Sequence, residues 1–163
     1  MKKIYTALTA LALFSATFYG QNSWQKTYNT NSLFIGGGSV IQTLDGGFAS
    51  IGSAPPPMTA GGNDMVLTKY DANGNVQWAQ IYGGTLDEEG VCLTQAPNGN
   101  YFLGGTEKSF SSTNANIYLV ATDPTGAMLW SQYETSFSGV DNVQDIEATS
   151  TNGVTIFGNR GGG

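Results

Sequence analysis

The acidic residues carry what chemistry this chain could do. Asp87-Glu88-Glu89 is its densest run of charge, and Asp141 is the nearest acid in the corresponding place one repeat later. Carboxylates grouped on loops can hold calcium through their oxygens. Two of them across a cleft can cleave a glycosidic bond when they stand about 5–9.5 Å apart. No spacing in the chain singles out such a catalytic pair. The run therefore reads either as solvated loop charge or as a rim that holds a cation or ligand. Weak calcium binding is the one cofactor expectation. Asp71-x-Asn73-x-Asn75 also puts oxygens at alternate positions. Gly74 stands too early for an EF-hand loop, and Tyr82 stands where that loop needs Glu. The run reads instead as a hairpin turn, where Asn-Gly between alternating strands is at home.

Other chemistry is limited by what the chain lacks. It has no His, which removes Ser-His-Asp and Cys-His catalysis and every His-ligated metal site. The single Cys, Cys92, forms no intramolecular disulfide. It sits in Val91-Cys-Leu93 with Glu88 and Glu89 close by, so it reads as a small buried hydrophobe. A reactive thiol would want basic neighbours. Trp24, Trp78 and Trp130 recur roughly every fifty residues. They read as packing between neighbouring sheets, with sugar stacking as the alternative.

The net charge is −6, from 6 basic and 12 acidic residues. An acidic surface argues against nucleic acid and anionic membrane as partners. Residues 1–20 differ from the rest. A Lys2-Lys3 start, an apolar run from Ile4 to Phe18 and a small residue at Gly20 make the pattern of a secretory signal peptide. The run is too short and too interrupted by Thr and Ser to favour a membrane span. The expected address is therefore secreted, at the cell surface or beyond, with no membrane span after cleavage.

The elements that would position these residues repeat. Asp71-Ala-Asn-Gly74 leads to Trp78, and Asp123-Pro-Thr-Gly126 leads to Trp130. Each copy follows an apolar run, 65–70 and 117–122, and Gly in such a turn supplies the positive φ that a tight hairpin needs. Earlier turns align too: Asp45-Gly-Gly47, Asn98-Gly-Asn100 and Asn152-Gly153. Each unit thus has four short strands, a small antiparallel sheet. The predicted class is all-β, with four-stranded blades of a β-propeller. Blade 1 covers about 37–82, blade 2 about 90–133 and a partial blade 3 about 143–158 of the region 21–163. A strand at 23–28 precedes them, as if cut from its own blade. Propellers have ~4–8 blades, so the expected partners include the remaining blades of a longer chain, or other copies.

These residues resemble a family. Trp24-Gln-Lys-Thr-Tyr28, Trp78-Ala-Gln-Ile-Tyr-Gly-Gly84, Glu89-Gly90, Gln42-Thr-Leu-Asp-Gly-Gly-Phe48 and Lys69-Tyr-Asp-Ala-Asn-Gly74 are similar to the repeats of secreted Bacteroidetes-type propeller proteins associated with type IX secretion. The resemblance covers nearly all of the chain after residue 20 and is unspecific as to activity. It departs at Tyr133, which has no Gly-Gly after it, and no C-terminal sorting domain is visible. Ala121-Thr-Asp-Pro-Thr-Gly-Ala-Met-Leu-Trp130 also looks like the tryptophan-docking repeat of quinoprotein-type or outer-membrane assembly propellers. The signal-peptide pattern, the repeat, the variable loops and the absence of a catalytic constellation point to a non-catalytic module for binding or adhesion, its partner an extracellular glycan or protein. The alternatives are a glycan-acting enzyme, an accessory domain of one, or a structural spacer.

Overall fold

A computed structural model describes residues 35–56, 59, 61–108, 116–134 and 141–159. The expected leader 1–20 and the expected strand 23–28 with Trp24 lie outside the described residues, as does the segment 160–163. Among these residues ten strands follow one another: β1 (Ile35–Gln42), β2 (Phe48–Ala54), β3 (Asp64–Tyr70), β4 (Val76–Tyr82), β5 (Glu88–Gln95), β6 (Tyr101–Glu107), β7 (Asn116–Thr122), β8 (Met128–Tyr133), β9 (Asn142–Ala148) and β10 (Val154–Asn159). They form three antiparallel sheets in simple sequential order, β1-β2-β3-β4, β5-β6-β7-β8 and β9-β10. Among the described residues no helix is long and apolar enough to cross a membrane.

One turn closes five of the hairpins. In each, a residue's N–H bonds to the carbonyl four positions on, and its carbonyl accepts from the N–H three positions on. Thr43/Gly46/Gly47, Asp71/Gly74/Asn75, Ala96/Gly99/Asn100, Asp123/Gly126/Ala127 and Thr149/Asn152/Gly153 all follow this rule. The fourth residue is left-handed every time, with φ between 75° and 90° at Gly46, Gly74, Gly99 and Gly126, and 63° at Asn152. A type I turn followed by one left-handed residue keeps the strands aligned in a three-residue hairpin. Asn replaces Gly in the fifth because its short polar side chain tolerates that region.

The alternation of side chains along the middle sheet gives it two buried faces. Leu93, Tyr101, Leu103, Tyr118 and Val120 pack against Ala49, Ile51, Met65, Leu67 and Tyr82 of the first sheet. Cys92, Phe102 and Ala121 point the other way, against Val143 and Ile146 of the third. Burying each large apolar side chain contributes about 1.5–3 kcal/mol, so these two seams hold the sheets face to face. Strand β5 lies over β1, β2 and β3, and β9 lies over β5, β6 and β7. The same step thus relates sheet one to sheet two and sheet two to sheet three.

The strand limits depart from expectation mostly at the starts. β3, β4 and β7 sit where their apolar runs predict. β5 begins at Glu88 rather than Gly90, β6 runs on to Glu107, and β9 begins at Asn142. These extensions carry polar residues, which sequence patterning assigns to loops.

Candidate functional site

The acidic run does not behave as one loop. Asp87 alone keeps a loop position, where its carboxylate accepts from the Asn63 N–H at 2.9 Å and pairs with Lys108 at 3.5 Å. The Asn63 bond, and then Lys108, hold its carboxyl below the usual range. Asp87 therefore joins the loop before β3 to the end of β6. Glu89 is exposed on β5. Glu88 corrects the expectation of a solvated loop charge: it is the first residue of β5 and is fully buried. Asp141 is buried as well, at the same distance before its turn as Glu88 is before Ala96.

Glu88 is buried because the backbone folds to receive it. The Gly84 N–H donates to its Oε2 at 2.6 Å. A Cβ on Gly83 would collide with Glu88 Oε2 and with Asp64 Oδ1, so only glycine leaves room there. Asp64, the first residue of β3, is also buried and hydrogen-bonds the Glu88 carboxyl group. On the far side of Glu88 the strand register places Glu107, and beside Glu107 stands Asn116. The Asn116 Nδ2 donates to Glu107 Oε1 at 2.7 Å. Asp64, Glu107 and Asn116 escape sequence reasoning altogether. Their one trace in the sequence is the Tyr82-Gly83-Gly84 element followed closely by Glu88.

Burial first, then the hydrogen bond and charge of Glu88, then Asp87, push the Asp64 carboxyl up to about 6. Burial also raises the Tyr118 hydroxyl, with Glu88, Glu107 and Asp64 adding to it. Among the described residues no group of three or more His, Cys, Asp or Glu is arranged to hold a metal ion. The cluster thus lies inside the molecule, between the first and second sheets, rather than on a cleft.

The two organising aspartates serve their own turns. Asp71 Oδ1 accepts from the Asn73 and Asn75 N–H groups at 2.8 Å, and its Oδ2 from Asn75 Nδ2. Asp123 Oδ1 accepts from the Thr125 hydroxyl and from the N–H groups of Thr125 and Ala127. Those bonds hold the Asp123 carboxyl below its usual range, the Thr125 hydroxyl contributing most. Side chains that cap their own turn in this way are Asx-turn residues.

Trp78 packs on the first seam and meets Tyr101 of the second sheet edge-on at 6.1 Å and 74°. A Cβ on Gly126 would stand 2.9 Å from the indole, so the β7–β8 turn lies directly on Trp78. The Tyr82 hydroxyl donates to the Gly126 carbonyl at 2.7 Å and closes the same contact. Trp130 lies 6.0 Å from Phe102 of its own sheet and remains 38% exposed. Trp24 lies outside the described residues. Cys92 is buried, and burial pushes its thiol up to about 11, so its role is packing.

No family model matches the chain. Over 81 residues, 50% of the chain, it is 35% identical to the regulatory protein FlaEY of Caulobacter vibrioides. That match spans 8% of the length of the Caulobacter protein.

Proposed function

We propose that this chain is a secreted, non-catalytic binding or adhesion module whose sheets are successive blades of a β-propeller. One observation carries the reading: two consecutive interfaces between sheets are built by the same step, with β5 on β1–β3 and then β9 on β5–β7. Four-stranded meanders repeated by one step around an axis are what a propeller is. The match to the Caulobacter protein is longer than one unit of about fifty residues, which fits a likeness that extends past a single repeat. Further blades, from a longer chain or from other copies, complete the ring. The signal-like residues 1–20 route the module out of the cell.

The arrangement of acids supports binding over catalysis. A glycosidase needs two carboxyl groups facing each other across a cleft that admits a sugar. Here Glu88 is enclosed by Asp64 and Gly84, and Asp87 is engaged by Lys108 and Asn63. Asp87 and the exposed Glu89 remain the residues placed for contact with a partner. A glycan array and a surface-protein pulldown with the full-length protein test the proposal. Retention of a glycan or surface protein, weakened by Asp87→Asn with Glu89→Gln, is the expected result. Clean turnover of a polysaccharide would overturn it in favour of a glycan-acting enzyme.

A further inference from the structure

We propose that Asp64 and Glu88 share a single proton, and that this shared proton joins the first sheet to the second. The two residues come from different sheets, Asp64 from the start of β3 and Glu88 from the start of β5. They are 4% and 0% exposed, and their oxygens crowd the same point over Gly83. Two carboxylates so close and so dry cannot both carry charge, because desolvation and mutual repulsion both favour the neutral form of one. The neutral one is Asp64. Its Oδ1 is buried without a hydrogen-bond partner. A neutral carbonyl oxygen tolerates that far better than a carboxylate oxygen does. Glu88, in contrast, takes the Gly84 N–H, a donor suited to an anion.

The second sheet supplies an independent argument. Asp64 pairs with Ala54, the last residue of β2, and Asn116 pairs with Glu107, the last residue of β6. Asp64 and Asn116 are thus the same position of successive sheets. Asn116 uses it to donate an N–H to a carboxylate. A protonated Asp64 donates an O–H to a carboxylate from the same place. The acceptors differ, Glu107 of Asn116's own sheet and Glu88 of the next sheet from Asp64, but an ionised aspartate could donate to neither.

The groups that face the pair all bear on its charge. Glu88 and Asp87 come from β5 and the turn before it, Glu107 from β6, and Asn116 and Tyr118 from β7. Lys108, just after β6, is taken up by Asp87. The sign follows. A carboxyl whose folded pKa is raised adds stability that is complete below its unfolded value and is lost as pH rises through the folded value, here from about 4 to about 6.

Thermal unfolding of the full chain as a function of pH tests the idea, read with the infrared band of the protonated carboxyl group. The melting temperature should fall between about pH 4 and about pH 6. Asp64→Asn, which copies Asn116, should remove that fall, remove the protonated-carboxyl band, and melt higher than the natural protein at pH 7. Glu88→Gln should flatten the profile as well. If either variant folds poorly, the infrared titration of the unaltered protein decides alone: a band that disappears near pH 6 supports the pair, and its absence at pH 5 overturns it. An unchanged slope in a folded Asp64→Asn protein also overturns it. So does a melting temperature that millimolar calcium raises at pH 7 in the natural protein but not in Asp64→Asn, because the pocket would then hold a cation rather than a proton.

Discussion

The seam between sheets one and two and the seam between sheets two and three are built by the same step, yet they end differently. In the first, the β7–β8 turn lies on Trp78, and Tyr82 bonds to Gly126. In the second, the third sheet contributes β9 and β10 among the described residues. Ile117 and Leu119 of β7 line an open groove with Ile156 of β10, and Met128, Leu129 and Trp130 of β8 are exposed. The contrast teaches what a four-stranded sheet needs from the one packed on it. The inner strands supply the apolar core, and the outer hairpin supplies the cover for the tryptophan. Among the described residues, β9 and β10 supply the first, and no hairpin lies on Trp130 as the β7–β8 turn lies on Trp78.

Removing the two tryptophans should separate the seams by the largest margin. Trp78→Ala deletes a half-buried ring packed against the first seam and beneath the β7–β8 turn, and should cost about 2–4 kcal/mol. Trp130→Ala deletes a ring that has one covered face and should cost about 1–2 kcal/mol, roughly in proportion to the area it buries. Urea unfolding of each variant measures both. Equal losses would break the comparison, because they would mean that Trp130 is as well covered as Trp78.

The turn glycines sharpen it. Gly46 and Gly126 occupy the same place in the same turn, with φ of 81° and 86°. A Cβ on Gly46 meets nothing within 4 Å, whereas one on Gly126 meets the Trp78 indole at 2.9 Å. Gly46→Ala should cost about 1 kcal/mol for the left-handed backbone alone. Gly126→Ala adds overpacking and should cost about 2–4 kcal/mol in all. The difference between the two isolates what the next sheet's hairpin contributes on top of turn chemistry.

A smaller effect distinguishes the sheets by charge. Lys69 Nζ is buried and bonds both oxygens of Asp45, at 2.9 and 3.1 Å, as well as the Tyr70 carbonyl and Gln77. The corresponding place in the second sheet holds Ala121, which faces Trp130 as Lys69 faces Trp78. The Thr43 hydroxyl, then Lys69, lower the Asp45 carboxyl to about 2. A depressed folded pKa gives stability that is present above about 4 and lost as pH falls through about 2. Asp45→Asn should therefore weaken the fold at neutral pH and leave the loss between pH 4 and 2 shallower. Asp45 is 58% exposed, so solvent screening keeps the effect near 1 kcal/mol. Acid unfolding of the two proteins checks the sign.

Much of this fold is legible in residue order, for physical reasons. The Gly at a fixed offset from Asp, Asn or Thr marks each hairpin, because few other residues accept positive φ there. Runs such as Tyr101-Phe-Leu103, apolar at consecutive positions, mark a strand buried on both faces. The carboxyl cluster is not legible. Asp87-Glu88-Glu89 reads as loop charge because ionised groups are rarely buried. What buries Glu88 is a contact with Asp64 of another sheet and the absence of a side chain at Gly83, and no local pattern encodes a meeting of distant residues. Asn116 and Glu107 stay hidden for the same reason.

Hydrogen exchange followed strand by strand in the 163-residue protein tests the unequal seams most directly. Local opening free energy rises with buried contacts, so β2, β3 and β6 should exchange slowest, and β8 and β10 should exchange much faster than their counterparts β4 and β6. Protection of β8 and β10 equal to that of β4 and β6 would contradict the account, because the second seam would then be as well covered as the first.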